Sequence, residues 1–465
     1  MVTRILLGAV AVAVAAVQPA TGETLTDAFV AAYQNSNLLE ASRALLKTQD
    51  ESVATAVAAL RPTVTAAASV ESRLTRAPMP QSVRRITDGA VAGSLGLTVE
   101  LLLTDGGSGK LAVKAARETV MATRQTLLDV EQAVLLNAAI AYHDVVRQTE
   151  LLRLAKNGLN VMETEREAAE GRFELGEITR TDVSLVEARL AVARSRELLS
   201  QGELEIAREN YRLATGSYPG RLAGLPPSPE IPATLEEARS IAMRIHPSIV
   251  QGKHLVAAGQ LALERAKTVN DPRLSLAGTV GGSREVGAWS TGIDRLSVSL
   301  SATMPIYAGG KGDSVIRQAR ANVDRLRSEL QQAAQVAAQQ VAVAWTRLEI
   351  AASSIESRDQ QVAAAELAFE GVKAEAELGL RTTLDVLDSE QDLLSARNDR
   401  VAAIHERQIA VYRLLSTMGL MTVQHLGLGI PTYNPDEYLS RVETAPVETW
   451  PASKIDSLFR SLEAE

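Results

Sequence analysis

The chain contains no cysteine among its 465 residues. That absence excludes disulfides, thiolate metal sites and attachment of a lipid to an N-terminal cysteine. Aromatic residues make up only 3%, too few to fill a wide globular core, whereas Ala, Leu, Val, Glu, Arg and Gln are abundant, a mixture suited to long helices in close mutual contact. The net charge of −8 is mild and spread along the chain, so nucleic acid is not indicated as a partner. The one long apolar run, Ile5 to Val17 after Arg4, is too short to span a bilayer and ends at Pro19. With the small residues Ala20-Thr21-Gly22 behind it, the run reads as a secretory signal covering residues 1–22, with the mature chain starting near Glu23.

What is present is a repeat. Leu97 to Arg117 (LTVELLLTDGGSGKLAVKAAR) matches Leu300 to Arg320 (LSATMPIYAGGKGDSVIRQAR) at an offset of 203. The same offset carries Gly176 to Gly379, Asp182 to Asp385, Glu187 to Glu390, Leu190 to Leu393, Arg194 to Arg397 and Gly216 to Gly419. Before Leu97 it becomes 210, pairing Thr24-Leu25 with Thr234-Leu235 and Pro62 with Pro272, so seven extra residues belong between Pro62 and Leu97. The chain thus divides into a first repeat (23–215), a Gly/Pro-rich linker (216–233), a second repeat (234–421) and a tail (422–465) left open between disorder and a collar around the molecule.

Each copy reads helix, strand, strand, long helix, return helix. Val91 to Leu103 and Leu296 to Ile306 alternate apolar with polar residues, the period of a strand with one greasy face; Pro62–Arg76 and Pro272–Gly282 are weaker companion strands. The double glycines Gly106-Gly107 and Gly309-Gly310 fit a sharp strand-to-helix turn. Ser108 to Leu175 holds no proline, and as one helix it would run about 100 Å. After a turn at Gly176-Glu177-Ile178-Thr179-Arg180, Thr181-Asp182 reads as the cap of a return helix. That helix carries two heptad stripes, Leu185/Val192/Leu199/Ile206/Leu213 and Val183/Leu190/Leu204/Tyr211, which calls for two neighbouring helices. The N-terminal helix, read as Thr24 to Leu60, would stack end to end with the return helix along the long one. Four amphipathic strands cannot close a barrel in lipid, where about eight is the smallest number known. Three chains would supply twelve strands and twelve helical staves.

Gly106-Gly107-Ser108-Gly109-Lys110 imitates a phosphate loop, but Thr104 and Leu111 stand where that pattern needs Gly and Ser or Thr. The five histidines show no ligand spacing, and no residues form a recognisable catalytic frame. Neither an enzyme nor a cofactor is expected.

These residues resemble the TolC family of outer-membrane efflux and secretion proteins over essentially all of Leu25 to Met421. The resemblance rests on Thr24-Leu25 opening each copy, on TDGG (Thr104 to Gly107) and YAGG (Tyr307 to Gly310), and on RFELGEITRTDV (Arg172 to Val183) and ELGLRTTLDVLDSEQDLLSARN (Glu377 to Asn398). It implies an α plus transmembrane-β fold: a homotrimer with a twelve-stranded outer-membrane β-barrel continuing into a twelve-helix α-barrel across the periplasm. Its partners would be outer-membrane lipid and a periplasmic adaptor (membrane fusion protein) with an ABC or proton-driven inner-membrane pump, for efflux or type I secretion. By the same resemblance Asp385 and Asp388 line the aperture, Arg381 and Thr181 form a gate latch, and Asp182 is a second latch residue. The family partner of Asp182 is a tyrosine, but Ala376 stands at that position here. Leu175-Gly176-Glu177 and Leu378-Gly379-Leu380 fall on the turns that meet the adaptor. From the residues alone, Asp385 and Asp388 also read as N-terminal capping residues. The alternative to a duct is a periplasmic coiled-coil scaffold or adaptor with no pore.

Overall fold

The computed structural model describes residues 22–78, 85–286, 291–450 and 452–463. The secretory signal expected at residues 1–22 lies outside them apart from Gly22. Each copy begins with two helices where the sequence suggested one: α1 (Leu25–Asn35) and α2 (Asn37–Ala58), then, in the second copy, α5 (Leu235–Ile245) and α6 (Pro247–Lys267). The breaks have local causes. Ser36 adopts an extended conformation and its side chain accepts from the Leu39 N–H at 3.3 Å, starting a new helix. Pro247 cannot donate a hydrogen bond and occupies the first turn of α6, with His246 as its cap.

The strands β1 (Thr63–Pro78), β2 (Arg85–Thr104), β3 (Arg273–Val286) and β4 (Thr291–Thr303) form one antiparallel sheet in the order β1-β2-β3-β4. β4 stops at Thr303, short of the Ile306 that its alternation suggested, whereas β2 continues to Thr104, the counterpart of Tyr307. β2 has β3 beside it along that stretch, and among the described residues β4 has no strand on its outer side. The pairing sorts the residues by chemistry. Ala66, Leu97, Val280 and Leu296 lie in one rung, and Val64, Val99, Gly278 and Val298 in another on the same face. The other face is a field of hydroxyls, bridged at Ser69–Ser94 (2.8 Å), Thr98–Thr279 (3.3 Å) and Ser275–Ser301 (2.9 Å). Among the described residues no helix is long and apolar enough to cross a membrane.

The long helices α3 (Ser108–Glu174) and α7 (Lys311–Glu377) have 67 residues each, and the return helices α4 (Arg180–Thr215) and α8 (Thr383–Met418) have 36 each. α3 is flanked by α2 and α6 in its sheet-proximal half and by α4 and α8 in its distal half, while among the described residues α7 packs against α5, α6 and α8. End-to-end stacking occurs, with α2 rather than the whole N-terminal segment above α4. The joints are tight: a Cβ on Gly216 would lie 2.9 Å from Asn35, and one on Gly419 would lie 3.1 Å from His246. Asn35 also donates to the Thr215 carbonyl at 2.8 Å. Both glycines have positive φ, as helix-ending residues in the left-handed conformation do.

The main core sits at this waist, around Phe29, Tyr142, Tyr211, Leu414 and Leu415. The tail closes over it: Val423 and Leu428 join the core, and α9 (Pro435–Val442) lies on α2, held by Arg124–Asp436 at 2.7 Å and by Tyr438 donating to Glu51 at 2.7 Å. α10 (Ala452–Glu463) follows at the sheet end of the molecule.

Two histidines occupy the waist core. His143 and His405 are 6.2 Å apart and almost fully buried, and neither ring nitrogen of His143 finds a hydrogen-bond partner among the described residues. Burial pushes each from 6.5 down to about 4; a like charge adds to the effect, from His405 on His143 and from Arg147 on His405, the latter opposed by Glu150 and Asp144. A depressed histidine is neutral in the fold and takes up protons on unfolding, so stability is fully present above pH 6.5 and is lost as pH falls toward 4. The loss is at most roughly 1.4 kcal/mol per pH unit for each group. His143→Phe should flatten thermal stability measured between pH 6.5 and 4.5, and an unchanged slope would show that His143 does not titrate as stated.

Candidate functional site

The tips farthest from the sheet carry the residues singled out in the sequence. α3 ends in a Schellman turn: Gly176, at φ +77°, donates to the Phe173 carbonyl, and Glu177 donates to that of Arg172 at 2.9 Å. The second copy repeats it with Gly379 donating to Ala376 and Leu380 to Glu375, each at 2.9 Å. Leu175, Leu378 and Leu380 stand exposed on these turns beside Gly176, Glu177 and Gly379.

The return helices start one turn away with paired capping boxes. Thr179, not Thr181, is the cap of α4; its hydroxyl accepts from the Asp182 N–H, and the Asp182 carboxylate accepts from the Thr179 N–H at 2.9 Å. Thr181 sits inside the first turn, because the threonine-to-aspartate spacing of three that closes a capping box is met only from Thr179. Thr382 and Asp385 form the same box on α8, with Asp385 accepting at 2.9 Å from the backbone and 2.8 Å from the hydroxyl. Hydrogen bonds from the two threonines hold the Asp182 and Asp385 carboxyls below the usual carboxylate range. The bare capping reading of Asp385 therefore describes its contacts within the chain. It does not describe Asp388, which pairs across to Arg189 of α4 at 2.6 Å. Arg381 pairs with Glu375 at 2.8 Å on its own tip and not with Thr181.

Sequence reasoning missed the Arg189–Asp388 bridge and the Arg196–Gln391 hydrogen bond above it. Arg189 and Arg196 lie seven residues apart on α4, and Asp388 and Gln391 three apart on α8; that spacing was the available signal. Behind them α3, α4 and α8 enclose a cavity of about 460 Å³ floored by Gly158, Met162 and Leu394. Glu390 lines it, with one carboxylate oxygen unpartnered among the described residues. Burial, with Glu165 adding to it and Lys373 opposing, pushes Glu390 from 4.5 up to about 7.

At the sheet end the four turn glycines all take positive φ: Gly106 +70°, Gly107 +84°, Gly309 +60° and Gly310 +80°. Asp105 caps the first turn, accepting from Gly107 at 3.0 Å and Gly109 at 2.6 Å. Ala308, at the equivalent position in the second turn, offers no such acceptor.

An ionisable group kept protonated by the fold stabilises below its unfolded pKa and loses that contribution as pH rises through the folded one. Glu390→Gln should therefore raise the thermal stability of the protein at pH 8 and leave it unchanged near pH 4, as read by circular dichroism melts. A decrease at pH 8 would mean that ionised Glu390 has a partner.

The sequence model for outer membrane efflux proteins matches residues 29–217 and again 240–420. The outer membrane efflux protein BepC of Brucella suis biovar 1 (strain 1330) is 32% identical over 427 residues, 92% of each chain. The outer membrane protein TolC of Escherichia coli (strain K12) is 27% identical over 319 residues, 64% of this chain and 63% of that one. The crystal structure of the Campylobacter jejuni CmeC outer membrane channel superposes with a TM-score of 0.75 at 15% identity, covering 90% of this chain and 89% of that one. With two matched copies, full-length similarity to BepC and the shared fold, this chain belongs to the outer membrane efflux protein family, a TolC-like factor of the outer membrane that extends into the periplasm.

Proposed function

We propose that three copies of this chain close into a duct through which cargo leaves the cell, a twelve-stranded barrel in the outer membrane continuing into twelve helical staves and gated at the periplasmic tips. The observation that carries the reading is that the protomer is unfinished along both sides. Among the described residues β1 and β4 each have a free hydrogen-bonding edge, and a sheet with open edges has no place in hydrocarbon. The helices repeat the pattern. The stripe Val183/Leu190/Leu204/Tyr211 of α4 is buried within the chain, whereas Leu185, Val192, Leu199, Ile206 and Leu213 are exposed, Leu213 at 86%. On the opposite side α7 exposes Val336, Val343 and Ile350, also seven residues apart. Leu213 and Ile206 lie 33 and 26 residues from Arg180, the tip end of α4; Val343 and Ile350 lie 34 and 27 residues from Glu377, the tip end of α7. Two exposed heptads at one height on opposite edges are knobs and holes for adjacent subunits in a ring.

In that ring the apolar sheet face meets outer-membrane lipid and the hydroxyl face lines the hole. Three copies of Asp385 and Asp388 would place six carboxylates around the axis, a cation-attracting constriction. Arg381, Thr181 and Asp182 would latch adjacent tips, with the second latch altered by Ala376. The turns Leu175-Gly176-Glu177 and Leu378-Gly379-Leu380 would meet a periplasmic adaptor serving an ABC or proton-driven pump. The relatives' names divide between efflux (BepC) and protease secretion (AprF of Pseudomonas aeruginosa), so both cargo classes stand. The repeat boundaries at 23–215, 216–233 and 234–421 are proposed as the unit of duplication.

The duct reading expects a heat-labile trimer in detergent that conducts in planar bilayers. A monomeric rod, soluble without detergent and silent in bilayers, would instead establish the coiled-coil scaffold. Asp385→Asn with Asp388→Asn should abolish block of single-channel current by trivalent cations, and unchanged block would remove both residues from the aperture. Arg381→Ser should raise conductance, and a closed channel of unaltered conductance would argue against the latch.

A further inference from the structure

The two copies are related closely enough to predict a contact that one chain does not contain. Carrying the β1–β2 pair Ala66 and Leu97 forward by the repeat offsets, 210 for the first strand and 203 for the second, gives Leu276 and Leu300, which is the pair observed between β3 and β4. The offsets are therefore structural as well as textual. Applied to the β2–β3 seam, they specify the seam between β4 and the β1 of the next subunit. The pair Leu97 and Val280 becomes Leu300 and the neighbour's Val70, and Thr98 with Thr279 becomes Ser301 with the neighbour's Ser69. Ser301 already bonds Ser275, and Ser69 already bonds Ser94, so the hydroxyl ladder would run on across the seam. At the base, Thr104 with Leu274 becomes Tyr307 with the neighbour's Val64.

What waits at Val64 is a cleft of about 320 Å³, walled by Ala58, Pro62, Val64, Ala445, Ile455 and Phe459. The last three residues belong to the tail, beyond the residues matched by the family. On the opposite edge of the chain Ile306 and Tyr307 project from the strand exit, 96% and 90% exposed. The turn behind them has the same asymmetry. Gly106 is packed against Asp271, 2.5 Å from where its Cβ would be, whereas Gly309 meets nothing within 4 Å. The repeat counterpart of Asp271 is Arg61 of the next subunit, and Arg61 holds the tail: it donates to the Ala445 carbonyl at 2.8 Å and to that of Thr444, and it pairs with Asp456 at 3.6 Å. Ala445 is the one non-glycine residue with positive φ among those described, a strained link fixed at the cleft.

We propose that the cleft between β1 and α10 is a subunit socket that receives Tyr307 of the adjacent copy, with β4 and the neighbour's β1 in the register Leu300 opposite Val70. The tail then acts as a clasp at the periplasmic rim of the barrel. The proposal rests on the trimeric reading above, and paired cysteines separate the two because no native thiol competes. Leu300→Cys with Val70→Cys, and separately Tyr307→Cys with Phe459→Cys, should each give a covalent trimer on non-reducing gels. Leu300→Cys with Glu71→Cys, on opposite faces, should not. If neither paired design cross-links and the protein sediments as a monomer in detergent, the duct itself fails. If Leu300/Val70 links but Tyr307/Phe459 does not, while a fluorophore at Phe459→Cys is quenched by lipid-borne nitroxide, the cleft faces the bilayer and the socket is overturned with the duct intact. Phe459→Ala should lower the temperature at which the detergent-resistant trimer dissociates, and an unchanged temperature would also count against the socket.

Discussion

The constraint on which the molecule depends is that backbone N–H and C=O groups in hydrocarbon have no water to bond. Four strands in the order β1-β2-β3-β4 satisfy every interior row and leave two edges bare. Among the described residues no strand pairs with either edge; α10 approaches only the start of β1, and the strand at the far edge ends early, at Thr303, where its in-register counterpart runs on. The same lack of a neighbour recurs far below the sheet, where half the apolar residues of α4 are buried and half are exposed. One deficit, stated first in hydrogen bonds and then in apolar area, is what the proposed trimer would make good.

Duplication accounts for the shape of the sector. Within the chain, copy one meets copy two, and that contact is a worked example of how copy two would meet the next copy one. The two copies have diverged where the contact differs. Asp105 caps the inner turn and Gly106 accepts a close neighbour, while Ala308 and an open Gly309 stand at the outer turn. At the tips, Arg189 of α4 bonds Asp388, and the 203-residue counterparts of these two, Asp392 and Leu185, cannot make the same bridge because Leu185 carries no charge. The bridge is therefore specific to the contact inside the chain.

Much of this was legible in the sequence, for physical reasons. The long helices show because proline is absent and the turn glycines are fixed by positive φ, and the strands show because alternation is a local property. The bend at Ser36 was not legible, since a serine inside a helical pattern is an ordinary residue until its side chain captures a backbone N–H; the bend before Pro247 was marked in the sequence by the proline itself and was missed. Thr179 was passed over for Thr181 because two threonines flank Arg180, and only the three-residue distance to Asp182 separates them. The tail's placement depends on Arg61, Arg124 and Glu51 reaching partners hundreds of residues away. Periodicity carries no information about such contacts.

The tips show how one residue type can serve two tasks. Asp385 spends two acceptor positions on Thr382, which lowers its proton affinity and keeps it ionised. In the proposed trimer, a carboxylate already fixed as a helix cap would enter a ring of like charges with its geometry settled and its charge hard to remove. Asp388 has instead an arginine on the neighbouring helix, so its charge is partly answered while Arg189 remains in place. In the proposed duct, moving α4 away from α8 would break that bridge and leave the second carboxylate, already exposed, without its arginine as the passage widens. Cation attraction at the constriction would then increase with opening through this pair, while Asp385 keeps its cap throughout.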